Sequence, residues 1–102
     1  MEFDQNHQDV LDQAGGEVIE LGNRLADRDP EADLWDIASG LLAGAVQFWL
    51  YSRQPCEDPD CESCVEVNTS ARRLAALKQE IEELAKESEY YHSPHDADVG
   101  RA

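Results

Sequence analysis

The chain is short of cations, of cysteine pairs, of strand-like alternation and of any long uncharged apolar run, and each shortage removes a class of answer. Only 8 Lys and Arg stand against 23 Asp and Glu in 102 residues, a formal net charge of −15. A field of that sign repels phosphate backbones and anionic bilayers, so direct nucleic-acid binding is not expected, and basic partners or cations fit better. The cysteines are three, an odd number confined to nine residues (Cys56, Cys61, Cys64), unlike the even disulfide framework of a small secreted domain. The N-terminal residues Met1-Glu2-Phe3-Asp4-Gln5-Asn6 carry neither a basic region nor an apolar run. No secretory leader is therefore expected, and the compartment this implies is the cytoplasm, with its thiols reduced.

The stretch that comes nearest to a membrane span is 34–51, LWDIASGLLAGAVQFWLY, with Trp35 at one end, Trp49 and Tyr51 at the other, and a Gly40-x-x-x-Gly44 step between. Beyond Asp36 its unbroken part, 37–51, has 15 residues and contains Gln47. That gives about 22 Å of helix against a hydrocarbon core of ~30 Å, so a helix enclosed by a bundle is the expectation. Signatures of catalysis are also missing. There is no glycine-rich phosphate loop, no G-x-S-x-G and no H-E-x-x-H, and a sizeable pocket is hard to build at this length. A non-enzymatic role is expected.

What is present is helical periodicity. In 5–27, Leu11, Ala14, Val18, Leu21 and Leu25 recur at steps of three and four, a stripe that faces a bundle. Gly15-Gly16 interrupts it, and such a pair either splits a helix or lets another backbone come close. A second helix over 30–53 is expected to start with Asp29 as N-cap and Pro30 in the first turn, and to stop before Pro55. Its small residues Ser39, Gly40, Ala43 and Gly44 form a face that another helix can approach. The loop 55–66, PCEDPDCESCVE, follows, and then a third helix capped by Asn68, Thr69 or Ser70 and running to Tyr91. Val67, Leu74, Ile81 and Ser88 take a positions of a heptad and Ser70, Leu77, Leu84 and Tyr91 d positions, giving coiled-coil character. Lys78–Glu82 and Glu82–Lys86 are helix-supporting i,i+4 pairs. The tail 93–102 is polar and broken by Pro94, and a flexible tail is expected.

These features define an all-α single domain over 1–102, a small bundle of about three helices. A chain this short buries only roughly 60 to 70% of its unfolded surface. The bundle is therefore expected to be completed by homo-oligomerisation, most economically as a two-fold dimer, through Gly40, Gly44, Leu74, Leu77, Ile81 and Leu84.

The chemically loaded feature is Cys56-x4-Cys61-x2-Cys64. Thiolates bind Zn²⁺ at about 2.3 Å, and a Cys-x2-Cys step is the usual way a turn presents two sulfurs to one ion. A closed site needs a fourth donor, for which His92 and His95, at H-x2-H spacing, are the candidates. A third helix of about 22 residues is roughly 33 Å long, so within one chain these histidines lie far from the loop and an antiparallel second subunit would have to bring them over. A disulfide and free thiols are the competing readings. The spacing also matches the start of a plant-type [2Fe–2S] run, though without its later cysteine. The acids Glu57, Asp58, Asp60 and Glu62 are expected to raise the thiol pKa values and disfavour a catalytic cysteine. Glu89-x-x-His92 matches the Glu-x-x-His step of di-iron bundles, with Glu17 and Glu20 as facing carboxylates. His7 reads as a surface residue.

The functional expectation is an oligomeric adaptor, regulator or accessory subunit with a zinc site, presenting acids to a basic partner. The alternative is an iron-sulfur or di-iron protein handling metal or electrons through the cysteine loop and tail histidines. Less expected is an acidic mimic of nucleic acid, because the acids are spread along the chain rather than aligned on one face.

Overall fold

The computed structural model describes residues 2–94 and 96, with side chains from residue 8 onward; His95, most of the expected flexible tail and the side chain of His7 lie outside the described residues. The described chain is all-helical. Helix α1 spans Glu2–Arg28, α2 Leu34–Ser52 and α3 Ser70–Glu87, with one turn of 3-10 helix at Glu62–Cys64. The chain forms two compact units, residues 1–49 and 50–102, the division falling near the end of α2.

In the first unit, α1 runs through Gly15-Gly16 without a break, and a Cβ built on either glycine would meet nothing within 4 Å. The close approach lies at Gly22, where an added Cβ would be 3.0 Å from Leu41 Cδ1 on α2. Gly22 and Leu41 are nearly equidistant from the turn between the helices, so α1 and α2 form an antiparallel hairpin. Ile37, Leu41, Val46 and Trp49 are half-buried, as are Leu25 and Gly22 of α1. At Gly40 and Gly44 of α2 an added Cβ would meet nothing within 4 Å.

The start of α2 differs from expectation. Asp29 makes a turn, accepting the Glu31 N–H on its carboxylate at 3.2 Å and the Ala32 N–H on its carbonyl at 3.0 Å. Asp33 is the residue that caps α2: its carboxylate accepts the Trp35 N–H at 2.9 Å and its carbonyl the Ile37 N–H at 3.1 Å. Two aspartates four residues apart both have capping chemistry, and the helix begins after the second, because Asp29 closes a turn over 29–32 instead of starting a helix. No helix of the described residues is long and apolar enough to cross a membrane.

In the second unit, Thr69 caps α3 by accepting the Arg72 N–H at 3.0 Å. Glu82 pairs with Lys86 at 2.7 Å. The helix ends at Glu87 rather than Tyr91: Ser88 turns to extended geometry and its hydroxyl and carbonyl take the N–H groups of Tyr90 and Tyr91. A serine whose side chain and carbonyl both find local donors stops a helix readily. Leu77 alone among the described residues is buried, at 8% exposure, so this seam position packs within the chain. Its seam neighbours Leu74, Ile81 and Leu84 remain 50%, 41% and 60% exposed.

Candidate metal centre

Pro55 ends the ladder of α2, whose last carbonyls of Leu50 and Tyr51 take the N–H groups of Arg53 and Gln54 in tightened bonds. Arg53 then pairs with Glu80 of α3 at 3.6 Å, holding the loop's entry beside the helix that follows it. Asp58 builds the first turn of the loop, accepting the Asp60 N–H on its carboxylate at 2.9 Å and the Cys61 N–H on its carbonyl at 3.2 Å. The second turn is the 3-10 step, in which the Cys64 N–H reaches the Cys61 carbonyl at 3.2 Å and the Val67 N–H the Cys64 carbonyl at 2.9 Å. Arg72 fastens the loop's end, donating to the Val65 carbonyl at 2.7 Å and to Asn68 Oδ1 at 3.1 Å. Each carbonyl used here would otherwise be an unmatched acceptor in a segment without regular structure.

These two turns gather the three sulfurs. Cys56, Cys61 and Cys64 place their Sγ atoms within 4.8 Å of one another. The Cys64 thiol lies 3.7 Å from Cys56 Sγ, and the Cys56 backbone N–H donates to Cys64 Sγ at 3.4 Å. No disulfide links them: all three are free, Cys56 exposed and the others half-buried. Four sulfurs at about 2.3 Å around a tetrahedral ion are separated from each other by about 3.8 Å. The Cys56–Cys64 separation of 3.7 Å is close to that edge length.

The electrostatics differ from expectation at one thiol. Cys61 is held below the usual thiol range, because the Cys56 and Cys64 thiols and the backbone N–H groups of Ser63 and Cys64 donate to its sulfur. The loop carboxylates do not dominate there, since donors in direct contact outweigh exposed charges facing water. Cys64 accepts the Cys56 backbone N–H, which alone would lower it, but its proton is shared with the Cys56 and Cys61 sulfurs and its pKa is raised overall.

His92 does not join the cysteines. It lies beyond the C-terminal end of α3, its Nδ1 3.7 Å from Asp96 Oδ2 and its ring edge-on to Tyr91 at 4.8 Å. Asp96 is further tied to Ser93, accepting from its N–H at 2.9 Å and its hydroxyl at 2.7 Å, which keeps the carboxyl below its ordinary range. Because α3 ends at Glu87, Glu89 and His92 are not carried on a helix, and the di-iron step loses the geometry it depends on.

The sequence points to the three clustered cysteines but not to Asp58, whose double acceptance sets the loop, nor to the close packing at Gly22. The signals were Asp58-Pro59-Asp60, a turn-former sequence, and a glycine four residues after Val18 on the apolar stripe. No protein-family model, curated protein or solved structure matches the chain.

Proposed function

We propose that this is a small non-enzymatic protein in which Cys56, Cys61 and Cys64 hold a zinc ion that clamps the loop between α2 and α3. The single observation that supports this reading is the triangle of free sulfurs with its 3.7 Å edge. Three thiols gathered in an acidic loop without a bridge between them are disfavoured as a bare cluster, and a dication relieves both the thiolates and the acids around them. Zinc suits the donor set because it is satisfied by thiolate sulfur in tetrahedral geometry and needs no redox partner. The site requires reduced thiols, which a cytoplasm supplies.

In this reading residues 1–102 act as one domain that assembles as a homodimer. The support is the shortage of interior: no described residue of the first unit is fully buried, and Leu34, Trp35 and Leu42 on α2 are 65%, 83% and 58% exposed. Apolar surface of that kind on one helix is covered in stable proteins by another element or another subunit. The role is that of an adaptor, regulator or accessory subunit whose net charge of −15 attracts a basic partner. Titration of Zn²⁺ into the metal-free chain with a chromophoric chelator tests the site. The expected result is one tight site per chain, lost in Cys61→Ser; binding unchanged by that substitution would contradict the assignment.

A further inference from the structure

We infer that Cys56 and Cys64 form a reversible redox pair, a modification site at which hydrogen peroxide joins their two sulfurs and leaves Cys61 as a thiol. In the reduced protein both are free, Cys56 exposed and Cys64 half-buried. Two separate contacts register one on the other: the sulfurs lie 3.7 Å apart, and the Cys56 backbone N–H donates to Cys64 Sγ at 3.4 Å. A disulfide needs about 2.0 Å between sulfurs, so closure asks for an approach of about 1.7 Å from the present 3.7 Å. Cys56 is the member free to make it, since it lies between the end of α2 at Ser52 and the 3-10 turn at Glu62, and rotation about its Cα–Cβ bond disturbs neither. Cys61 and Cys64 are each fixed at both N–H and carbonyl by the turns of the loop: the Cys61 N–H reaches Asp58 at 3.2 Å, the Cys64 N–H reaches Cys61 at 3.2 Å, and the Cys64 carbonyl takes the Val67 N–H at 2.9 Å. The mobile sulfur therefore closes on the one that its own backbone already holds.

Charge and exposure select the oxidant. Glu57, Asp58, Asp60 and Glu62 stand exposed beside the pair, so an anionic oxidant is repelled and neutral hydrogen peroxide is not. In the first step the exposed Cys56 thiolate attacks one peroxide oxygen. The S–O bond forms as the O–O bond breaks, and the departing hydroxide takes up a proton to become water. The Cys64 thiolate then attacks the sulfenic sulfur, forming the S–S bond and breaking the S–O bond, and a second hydroxide leaves as water. Two thiols have given up two electrons and two protons, and one peroxide has become two waters. A dithiol reductant reverses the step by exchange through a mixed disulfide. The pairing needs no metal; only its consequence rests on the zinc reading of the same cysteines. Where zinc is bound, the bridge removes two of its three thiolates at once, and oxidation of the loop releases the ion.

The test is oxidation of the full, metal-free chain with a slight excess of hydrogen peroxide, followed by alkylation of the remaining thiols and fragmentation in the mass spectrometer. The expected product has lost two hydrogens, carries its one label on Cys61 and regains all three thiols with dithiothreitol. Cys61→Ser should close the same bridge at the rate of the unaltered chain. A label on Cys56 or Cys64, loss of the bridge in Cys61→Ser, a cross-link between two chains, or sulfinic acid formed before any bridge would overturn the inference. The same peroxide added to the zinc-loaded chain beside a chromophoric chelator reads the consequence separately, and zinc release should keep pace with closure of the bridge. A bridge that closes with zinc still held, or a chain that never takes zinc up, would overturn the metal reading and leave the mapped pair standing.

Discussion

Cys61 sits between two thiols and two backbone N–H groups, and that placement lowers the cost of forming its thiolate. It is the middle cysteine of the three, and in the zinc reading Cys61→Ser leaves only the Cys56 and Cys64 sulfurs, 3.7 Å apart, to hold the ion. Zinc affinity measured by chelator competition should fall at least ~100-fold, the scale of losing a ligand or its support. Cys64 behaves in the opposite sense, since its pKa is raised. Metal binding releases thiol protons, so a raised pKa extends the pH range over which affinity keeps climbing. Apparent zinc affinity should therefore rise steeply from pH 6 and still be rising near pH 9, about tenfold per pH unit for each thiol that remains protonated. An affinity that does not change over this range would contradict thiolate ligation. Asp96 works the other way. Its folded pKa is depressed, so the turn that it closes with Ser93 is fully supported above about pH 4 and loosens as pH falls through the lowered value. Protection of the Ser93 amide proton, its exchange rate compared with the intrinsic rate at each pH, should fall on the acid side.

At the scale of elements, the helices were legible because apolar spacing is repeated many times along each, so a single unexpected residue cannot hide it. Their ends were not, because each depends on one side chain among several able to do the same work. Asp29 and Asp33 both have capping chemistry, and only the Trp35 N–H on Asp33 decides between them. Thermal unfolding followed by circular dichroism should show Asp33→Ala costing about 0.5–2 kcal/mol and Asp29→Ala less. Thr69→Ala should cost as much as Asp33→Ala, because it removes the acceptor of the Arg72 N–H, and Thr69→Ser should restore most of the loss. The end of α3 was misplaced for a similar reason. Tyr91 continues the heptad, but Ser88 offers two local acceptors and ends the helix first. The grouping of Cys56, Cys61 and Cys64 was legible in Cys-x4-Cys-x2-Cys, and their sulfurs do lie within 4.8 Å of one another. What placed their sulfurs together is the paired acceptance by Asp58, a geometry that composition suggests without specifying which oxygen takes which N–H.

Over the whole molecule, the shortage of interior is the dominant fact. Leu77 is the one buried residue among those described, so Leu77→Ala should cost about 2–5 kcal/mol, measured by denaturant unfolding, against far less for Leu84→Ala. The small-residue face of α2 gives a cleaner test of assembly. A Cβ at Gly44 meets nothing within 4 Å, so within one chain Gly44→Leu has room. If the second copy docks there, light scattering at micromolar concentration should show the dimer of the unaltered chain becoming monomer in Gly44→Leu while helical content is kept. An unaltered chain that is already a well-folded monomer would contradict the dimer. The net charge, by contrast, tells little about site or fold, since its acids are spread along the chain; its force is felt locally, where five of them surround the cysteines. The central claim, that those cysteines hold zinc, is tested most directly by elemental analysis of protein isolated without added metal, combined with absorption between 300 and 500 nm. One zinc per chain and no colour is the predicted result. Protein free of metal with three titratable thiols, or iron with a coloured spectrum, would contradict it.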